Sequence, residues 1–217
     1  MIKKKYVLIT PTRNEEAYIE RTLEAVCKQT ILPLKWIIVN DGSTDSTEAK
    51  VKKYTSNYSF LELVNLNRIG NANFGSKVNA FQEGYNYVKK LDYDFIGNLD
   101  ADVSFEPAYF GNILHKFGEN EKLGVAGGII QELINNKYVT QDISTNSVAG
   151  AVQLFRKECY AGIGGYIPME YGGIDAAAEI LARMNGWEVQ TFSEYKVLHH
   201  RRVKTGKKNI TVSAAAQ

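Results

Sequence analysis

Cysteine is scarce in this chain. Cys27 and Cys159 are the two cysteines among 217 residues, and they form no CxxC pair; neither a disulfide framework nor a cysteine-rich zinc site is indicated, and a reducing compartment fits. Net charge is nearly absent as well, since 26 basic residues against 24 acidic ones leave +2. So weak a whole-molecule field does not gather DNA or RNA; no nucleic-acid partner is expected, and any anion binding falls to local patches. Long apolar runs are missing too. Behind Lys3, Lys4 and Lys5 the apolar stretch lasts only from residue 6 to 9 before Pro11, too brief for a signal-peptide core, and nothing further on is long enough to span a bilayer. No repeat, low-complexity tract or linker divides the sequence, so one domain over 1–217 is expected. Its 44% hydrophobic and 23% charged residues are an ordinary globular balance, and the length supports one substantial core rather than two.

What is present is an alternation of strand-like and helix-like segments, the pattern of a largely parallel sheet covered by helices. Residues 6–10, 36–39, 61–64 and 95–99 read as the first four strands. Asn14 looks like a helix N-cap, with Ile19, Leu23 and Val26 along one face of that helix. Asp45 or Ser46 suits the next cap. Over 75–90, Val78, Phe81, Tyr85 and Val88 form one helical stripe. Pro107 suits a first helical turn that ends near Gly118. Residues 125–130 are strand-like, 131–147 are polar and break the alternation, and 151–155 restore it. Glycines at 162, 164, 165, 172 and 173 suggest a mobile region that could close over a site. A helix over 174–185 and a strand over 187–192 complete the reading.

Alternation along a strand points residues i and i+2 to one side, so Asp100 and Asp102 can converge on a hard cation, magnesium or manganese. Such ions take one or two protein carboxylates and complete their shell with water and substrate phosphate oxygens, which makes a nucleoside diphosphate the natural partner. In open α/β sheets the ligand crevice lies at the carboxyl ends of the strands, where Pro11, Asp41 and Asp100 emerge.

Pro11-Thr12-Arg13-Asn14-Glu15, Val39-Asn40-Asp41-Gly42-Ser43-Thr44-Asp45, Gly75-Ser76-Lys77 through Gly84, and Leu99-Asp100-Ala101-Asp102 occur in an order that resembles the family-2 glycosyltransferases over roughly residues 6–200. The resemblance implies a GT-A fold: a Rossmann-like, mostly parallel α/β sheet with helices on both faces and a smaller acceptor-side region. Its nucleotide-binding half would be about 1–102 and its acceptor-side half about 103–205, with 206–217 a tail. It also implies a nucleotide-sugar donor, Mn2+ or Mg2+, inversion at the anomeric carbon and a hydroxyl-bearing glycan or lipid-linked acceptor.

Carried over by position, Pro11, Arg13 and Glu15 would belong to the nucleoside pocket. Asp41 would bond the base, Lys77 would stand near the diphosphate, and Asp100 would face ribose and metal. Asp102 would ligate the metal directly, with His199 and His200 as late metal or diphosphate contacts and Arg201 and Arg202 beside them. Asp175 resembles the catalytic base. Read as residues alone, Asp175 also suits a helix cap, Glu179 one turn later is a second candidate base, Lys77 suits a solvated helix face, and the histidines suit structural roles.

Two positions depart from the family pattern, Asn40 for its usual first aspartate and Gly173-Ile174 where a glutamate commonly precedes the base. The Gln-x-x-Arg-Trp motif of processive members is absent, so one sugar per encounter is expected. The expected setting is surface-polysaccharide or glycolipid synthesis, cytoplasmic or at the inner membrane face. The ending 210–217 has no obvious terminal structure, and the natural chain is expected to continue, with a membrane-associated segment as one continuation. A sugar nucleotidyltransferase and a nucleotide-sugar-binding protein without turnover are the alternatives.

Overall fold

A computed structural model of the chain describes residues 4–66, 74–134, 137–140, 144–169 and 172–201. Strands β1 (Tyr6–Thr12), β2 (Lys35–Asn40), β3 (Leu61–Asn65) and β4 (Phe95–Asn98) run parallel in the order β3-β2-β1-β4. Beyond β4 the sheet turns mixed. β8 (Leu154–Arg156) is antiparallel to β4 and to β6 (Leu123–Ile134), β9 (Glu188–His199) is parallel to β6, and β5 (Val103–Phe105) closes that edge against β9. Within the polar stretch that interrupts the sequence pattern, β6 runs on to Ile134 and β7 (Lys137–Thr140) pairs antiparallel to it.

The strands are apolar on both faces because both faces are covered. Tyr6 and Leu8 of β1 and Trp36 and Ile38 of β2 point to one side, where they meet helices α1 (Ile19–Cys27), α2 (Thr47–Thr55) and α4 (Tyr109–Glu119). Val7, Ile9, Ile37 and Val39 point to the other, against α3 (Phe74–Val88), α5 (Lys157–Gly162) and α6 (Ile174–Met184). Each fully buried side chain of this size contributes about 1.5–3 kcal/mol relative to exposure. One approach is closer than any side chain permits: a Cβ on Gly84 of α3 would stand 2.6 Å from Ile9 Cγ2 and 3.0 Å from Val39 Cγ2.

Several boundaries differ from the expected ones. β4 stops at Asn98, so Asp100 and Asp102 lie in the turn beyond it rather than alternating along a strand. Asn14 is not a helix cap: its backbone is left-handed, φ 54°, and α1 begins at Ile19 behind Tyr18. Pro107 precedes α4 rather than sitting in its first turn, and Gly118 lies inside the last turn of a helix capped by Asn120. β9 extends past the expected end at 192. Its register with β6 jumps from Gly128 opposite Phe192 to Ile129 opposite Lys196, and after this detour the strand continues to His199.

Candidate active site

β1 pairs with β2 on one side and with β4 on the other; the α1 connection from β1 to β2 crosses one face of the sheet and the α3 connection from β3 to β4 crosses the other, so a crevice opens at the carboxyl ends of these strands. Two loops form its floor. Asn14 adopts its left-handed backbone while clasping the β2–α2 loop: its N–H donates to Ser43 Oγ at 3.0 Å, and its Oδ1 accepts from Thr44 N at 2.8 Å. Ser46 is the N-cap of α2 but makes no side-chain cap bond; Asp45, one residue earlier, accepts from Thr47 N at 2.9 Å through its Oδ1. Asn40, where the family has an aspartate, donates to Asn65 Oδ1 at 2.8 Å and accepts from Ser43 N at 3.1 Å. It therefore organises the loop instead of adding negative charge.

Within this floor is a 170 Å³ pocket lined by Pro11, Thr12, Arg13, Glu15, Asp41 and Lys77 among others. Thr12 Oγ1 and Glu15 Oε2 are buried and have no hydrogen-bond partner among the described residues. Buried polar atoms left this way cost about 1–3 kcal/mol each, so such atoms in a pocket point to a ligand that satisfies them. Burial raises the Glu15 pKa to about 7, even though the Arg201 guanidinium pulls the other way.

The two aspartates beyond β4 face different partners. Asp100 Oδ1 pairs with Lys77 Nζ at 2.6 Å. Asp102 Oδ2 is 2.8 Å from Arg201 Nε and 3.2 Å from His199 Nε2, and Arg201 also reaches Glu15. Burial works against the Asp102 charge, but His199 and Arg201 together hold its pKa down to about 2. The His199 pKa is raised, first by its hydrogen bond to Asp102. Partial burial opposes the Lys77 charge, yet Asp100, then Asp102 and Asp175, lift its pKa above the ordinary value.

His200 takes another direction, because consecutive residues at the end of a strand point to opposite sides. Its Nε2 is 2.7 Å from Ser104 Oγ, and its Nδ1 is 3.0 Å from both Arg21 Nη1 and Tyr138 OH. An arginine can only donate, so Nδ1 accepts and the ring proton sits on Nε2, facing Ser104. Burial and the Arg21 charge lower the His200 pKa to about 4. Of the expected set, Asp102 and His199 meet and Asp100 lies in the same turn, whereas His200 faces Ser104, Arg21 and Tyr138 instead of them. Arg202 lies outside the described residues.

Among the described residues no group of three or more His, Cys, Asp or Glu converges as an ion site. Asp102 and His199 nonetheless form a contiguous oxygen and nitrogen pair, with Asp100 in the same turn. This donor chemistry fits a divalent cation that draws the rest of its shell from phosphate and water.

A second cavity, of 260 Å³, adjoins the first at Lys77, which lines both, and is lined also by Asp100, Phe81, Tyr166, Ile174 and Asp175. Asp175 is the second residue of α6, whose N-cap is Gly173 with φ 83°, so its carboxylate is not spent as the cap residue. It packs on Gly150, where a Cβ would lie 2.7 Å from Asp175 Oδ2. Glu179 is withdrawn from the cavity: it is buried, its Oε1 accepts from Val148 N at 2.7 Å and Gln153 Nε2 at 3.1 Å, and its Oε2 pairs with Arg183. Gly172 and Gly173 reach the cavity wall, while residues 170–171 of the expected closing segment lie outside the described residues. Thr12, Gly150 and Tyr166 were given no role of their own in the sequence. Thr12 and Tyr166 stood inside runs that resemble the family, Pro11-Thr12-Arg13 and Gly164-Gly165-Tyr166, whereas Gly150 carries no local signal, being placed by contacts far along the chain.

The sequence profile of glycosyl transferase family 2 matches residues 7–173. The chain belongs to that family. A poly-beta-1,6-N-acetyl-D-glucosamine synthase of Staphylococcus epidermidis is 26% identical over 209 residues, covering 87% of this chain and 46% of the relative; the chain thus spans about half the length of that protein. In structure it is similar to a mannosyltransferase from Pyrobaculum calidifontis in complex with GDP-Man and Mn2+. The two are 17% identical, with a TM-score of 0.71, covering 93% of this chain and 58% of that one. TarS residues 1–349 of S. aureus, in complex with UDP-GlcNAc, is 18% identical with a TM-score of 0.69, covering 92% and 59%. The fold is therefore of the GT-A type, as the motif order implied. Among the described residues no helix is long and apolar enough to cross a membrane.

Proposed function

We propose that this family-2 domain transfers a sugar, with inversion, from a nucleoside diphosphate carrier to a hydroxyl of a glycan or lipid-linked acceptor. The observation that carries the reading is the pair of adjoining cavities: one holds the buried oxygens of Thr12 and Glu15 that have no partner among the described residues, the other ends on Asp175, and Lys77, paired with Asp100, lines both. In this reading the nucleoside lies between Pro11, Arg13, Glu15 and Asp41, and its diphosphate runs toward Lys77. The sugar enters the second cavity against Phe81 and Tyr166. Asp175 takes the acceptor proton as the acceptor oxygen attacks the anomeric carbon from the face opposite the departing diphosphate. Lys77 and Arg201 supply positive charge where the leaving group gains negative charge.

A divalent cation, held by Asp102 and His199 with Asp100 nearby, would neutralise the diphosphate as it leaves. The solved neighbours that carry GDP-Man with Mn2+ and UDP-GlcNAc support the donor class, and the glucosamine-polymer synthase supports polysaccharide synthesis as the setting. A nucleotidyltransferase would have no use for a base in the position of Asp175, which favours sugar transfer.

The test is calorimetry of the chain with UDP and GDP, with and without Mn2+, repeated on Asp102→Ala. Binding of one nucleotide that requires Mn2+ and weakens at least about tenfold in the variant is the expected result. Equal affinity in both proteins rules out Asp102 as the ligand.

A further inference from the structure

Glu179 is 3% exposed, beside Ala178 and Ala182, which pack into the core. A carboxylate at such a depth is stabilised only by its partners, and these are unusually informative. Its Oε1 takes the backbone N–H of Val148 at 2.7 Å and the Gln153 amide at 3.1 Å, while Arg183 closes the other oxygen at 3.3 Å. Gln153 in turn donates to Val148 O at 3.1 Å and accepts from the Tyr166 hydroxyl at 2.7 Å. The segment 148–153 is thereby fastened to α6 at both ends by one side chain.

The same segment is fastened to the tip of β4. Asn98 Nδ2 donates to Gly150 O, Asn98 N donates to Gln153 O at 2.9 Å, and Asp100 N donates to Ala151 O at 2.9 Å. Between these attachments Asp175 rests on Gly150 with no room for a methyl group. Asp100 and Asp175, from two distant parts of the chain, are thus both referenced to 148–153, and Glu179 is the side chain that fixes α6 to it. We infer that Glu179 is a positioning residue that sets where the Asp175 carboxylate stands relative to Asp100. This deepens the reading above and rests on Asp175 being the base. Glu179, one helical turn further on, is then the base's support and not its substitute.

The test compares the full chain with Glu179→Gln, Gly150→Ala and Asp175→Asn. Turnover is read as release of UDP or GDP from a panel of UDP- and GDP-sugars with Mn2+, water serving as acceptor. UDP and GDP affinity is read by calorimetry, and crystals of the wild type and Glu179→Gln give the Asp100–Asp175 separation whether or not turnover is measurable. Glu179→Gln is expected to keep nucleotide affinity within about twofold, to lower kcat by about 10- to 100-fold, the scale of a base displaced by an ångström or less, and to show Asp175 shifted. Gly150→Ala, which pushes on Asp175 directly, gives the same split. Wild-type kcat with Asp175 unmoved overturns the proposal, as does a loss in which kcat and nucleotide affinity fall together. Inactivity of Glu179→Gln with Asp175 unmoved makes Glu179 the base and overturns it as well. An active Asp175→Asn instead removes the base reading itself, and is told apart because it does not depend on what Glu179→Gln does.

Discussion

Asp102 and His200 are joined through the backbone, His200 N donating to Asp102 O at 2.8 Å, yet their side chains are stabilised in opposite charge states. Asp102 is kept ionised by His199 and Arg201, its pKa held to about 2, whereas burial and Arg21 keep His200 neutral, with a pKa of about 4. A histidine whose folded pKa lies below its ordinary 6.5 contributes stability that is complete above pH 6.5 and is lost as pH falls toward 4. The whole effect is at most about 3.5 kcal/mol, from the 1.4 kcal/mol carried by each pKa unit. Asp102 keeps its contribution across that window and loses it only below its ordinary carboxylate value. His200→Gln is therefore expected to flatten the fall in urea-midpoint stability between pH 6.5 and 4, and an unchanged profile would assign that fall elsewhere. The sequence could not separate the two histidines, because adjacent positions differ only in which side of the strand they face. What decided the matter was Ser104, Arg21 and Tyr138, which come from three other elements.

At the scale of elements, the helices with a clear apolar stripe were legible from sequence, and so were the four parallel strands. The stripe on α3 led to Phe81 and Val88, both in the core. Less legible were stretches whose polarity is set by pairing rather than burial. β7 is exposed at every residue and is held by its partners on β6, and the Ser193-Glu194-Tyr195 detour hid the continuity of β9. Gly84 is a further case, since nothing local distinguishes it from a helix-weakening glycine. Gly84→Ala contributes about 1 kcal/mol through helix propensity but drives a methyl group against two β-branched side chains that cannot rotate away, an overpacking cost of about 1–3 kcal/mol. Net destabilisation of about 1 kcal/mol in urea unfolding is expected; a stabilised variant would mean that α3 stands further from the sheet.

For the molecule as a whole, the fold places the pocket behind the ends of β1 and β2 and the second cavity between β4, α3 and α6, so a ligand filling both would engage all five elements. A ligand that binds only the folded chain stabilises it by about 2.7 kcal/mol at one hundred times its Kd, which for a domain of this size is a rise in Tm of about 5–10 °C. The rise is expected with UDP or GDP plus Mn2+ and not with Mn2+ alone, and Asp102→Ala should abolish most of it. The parallel half was readable because its motifs sit at strand ends, where local sequence and site coincide. The half that holds Asp175 was readable only as a resemblance, since Gly150, Gln153 and Glu179 meet by folding alone.

The detour between Phe192 and Lys196 spans three residues, an odd number. Parity decides which of the last residues of β9 look into the crevice. Removing one residue there would exchange the outlooks of His199 and His200, sending the neutral ring toward Asp102 and stranding the other against Arg21. Removing two would leave both as they are, so length variation at this point should be tolerated in pairs and penalised singly, a pattern that deletion variants scored by nucleotide binding would reveal.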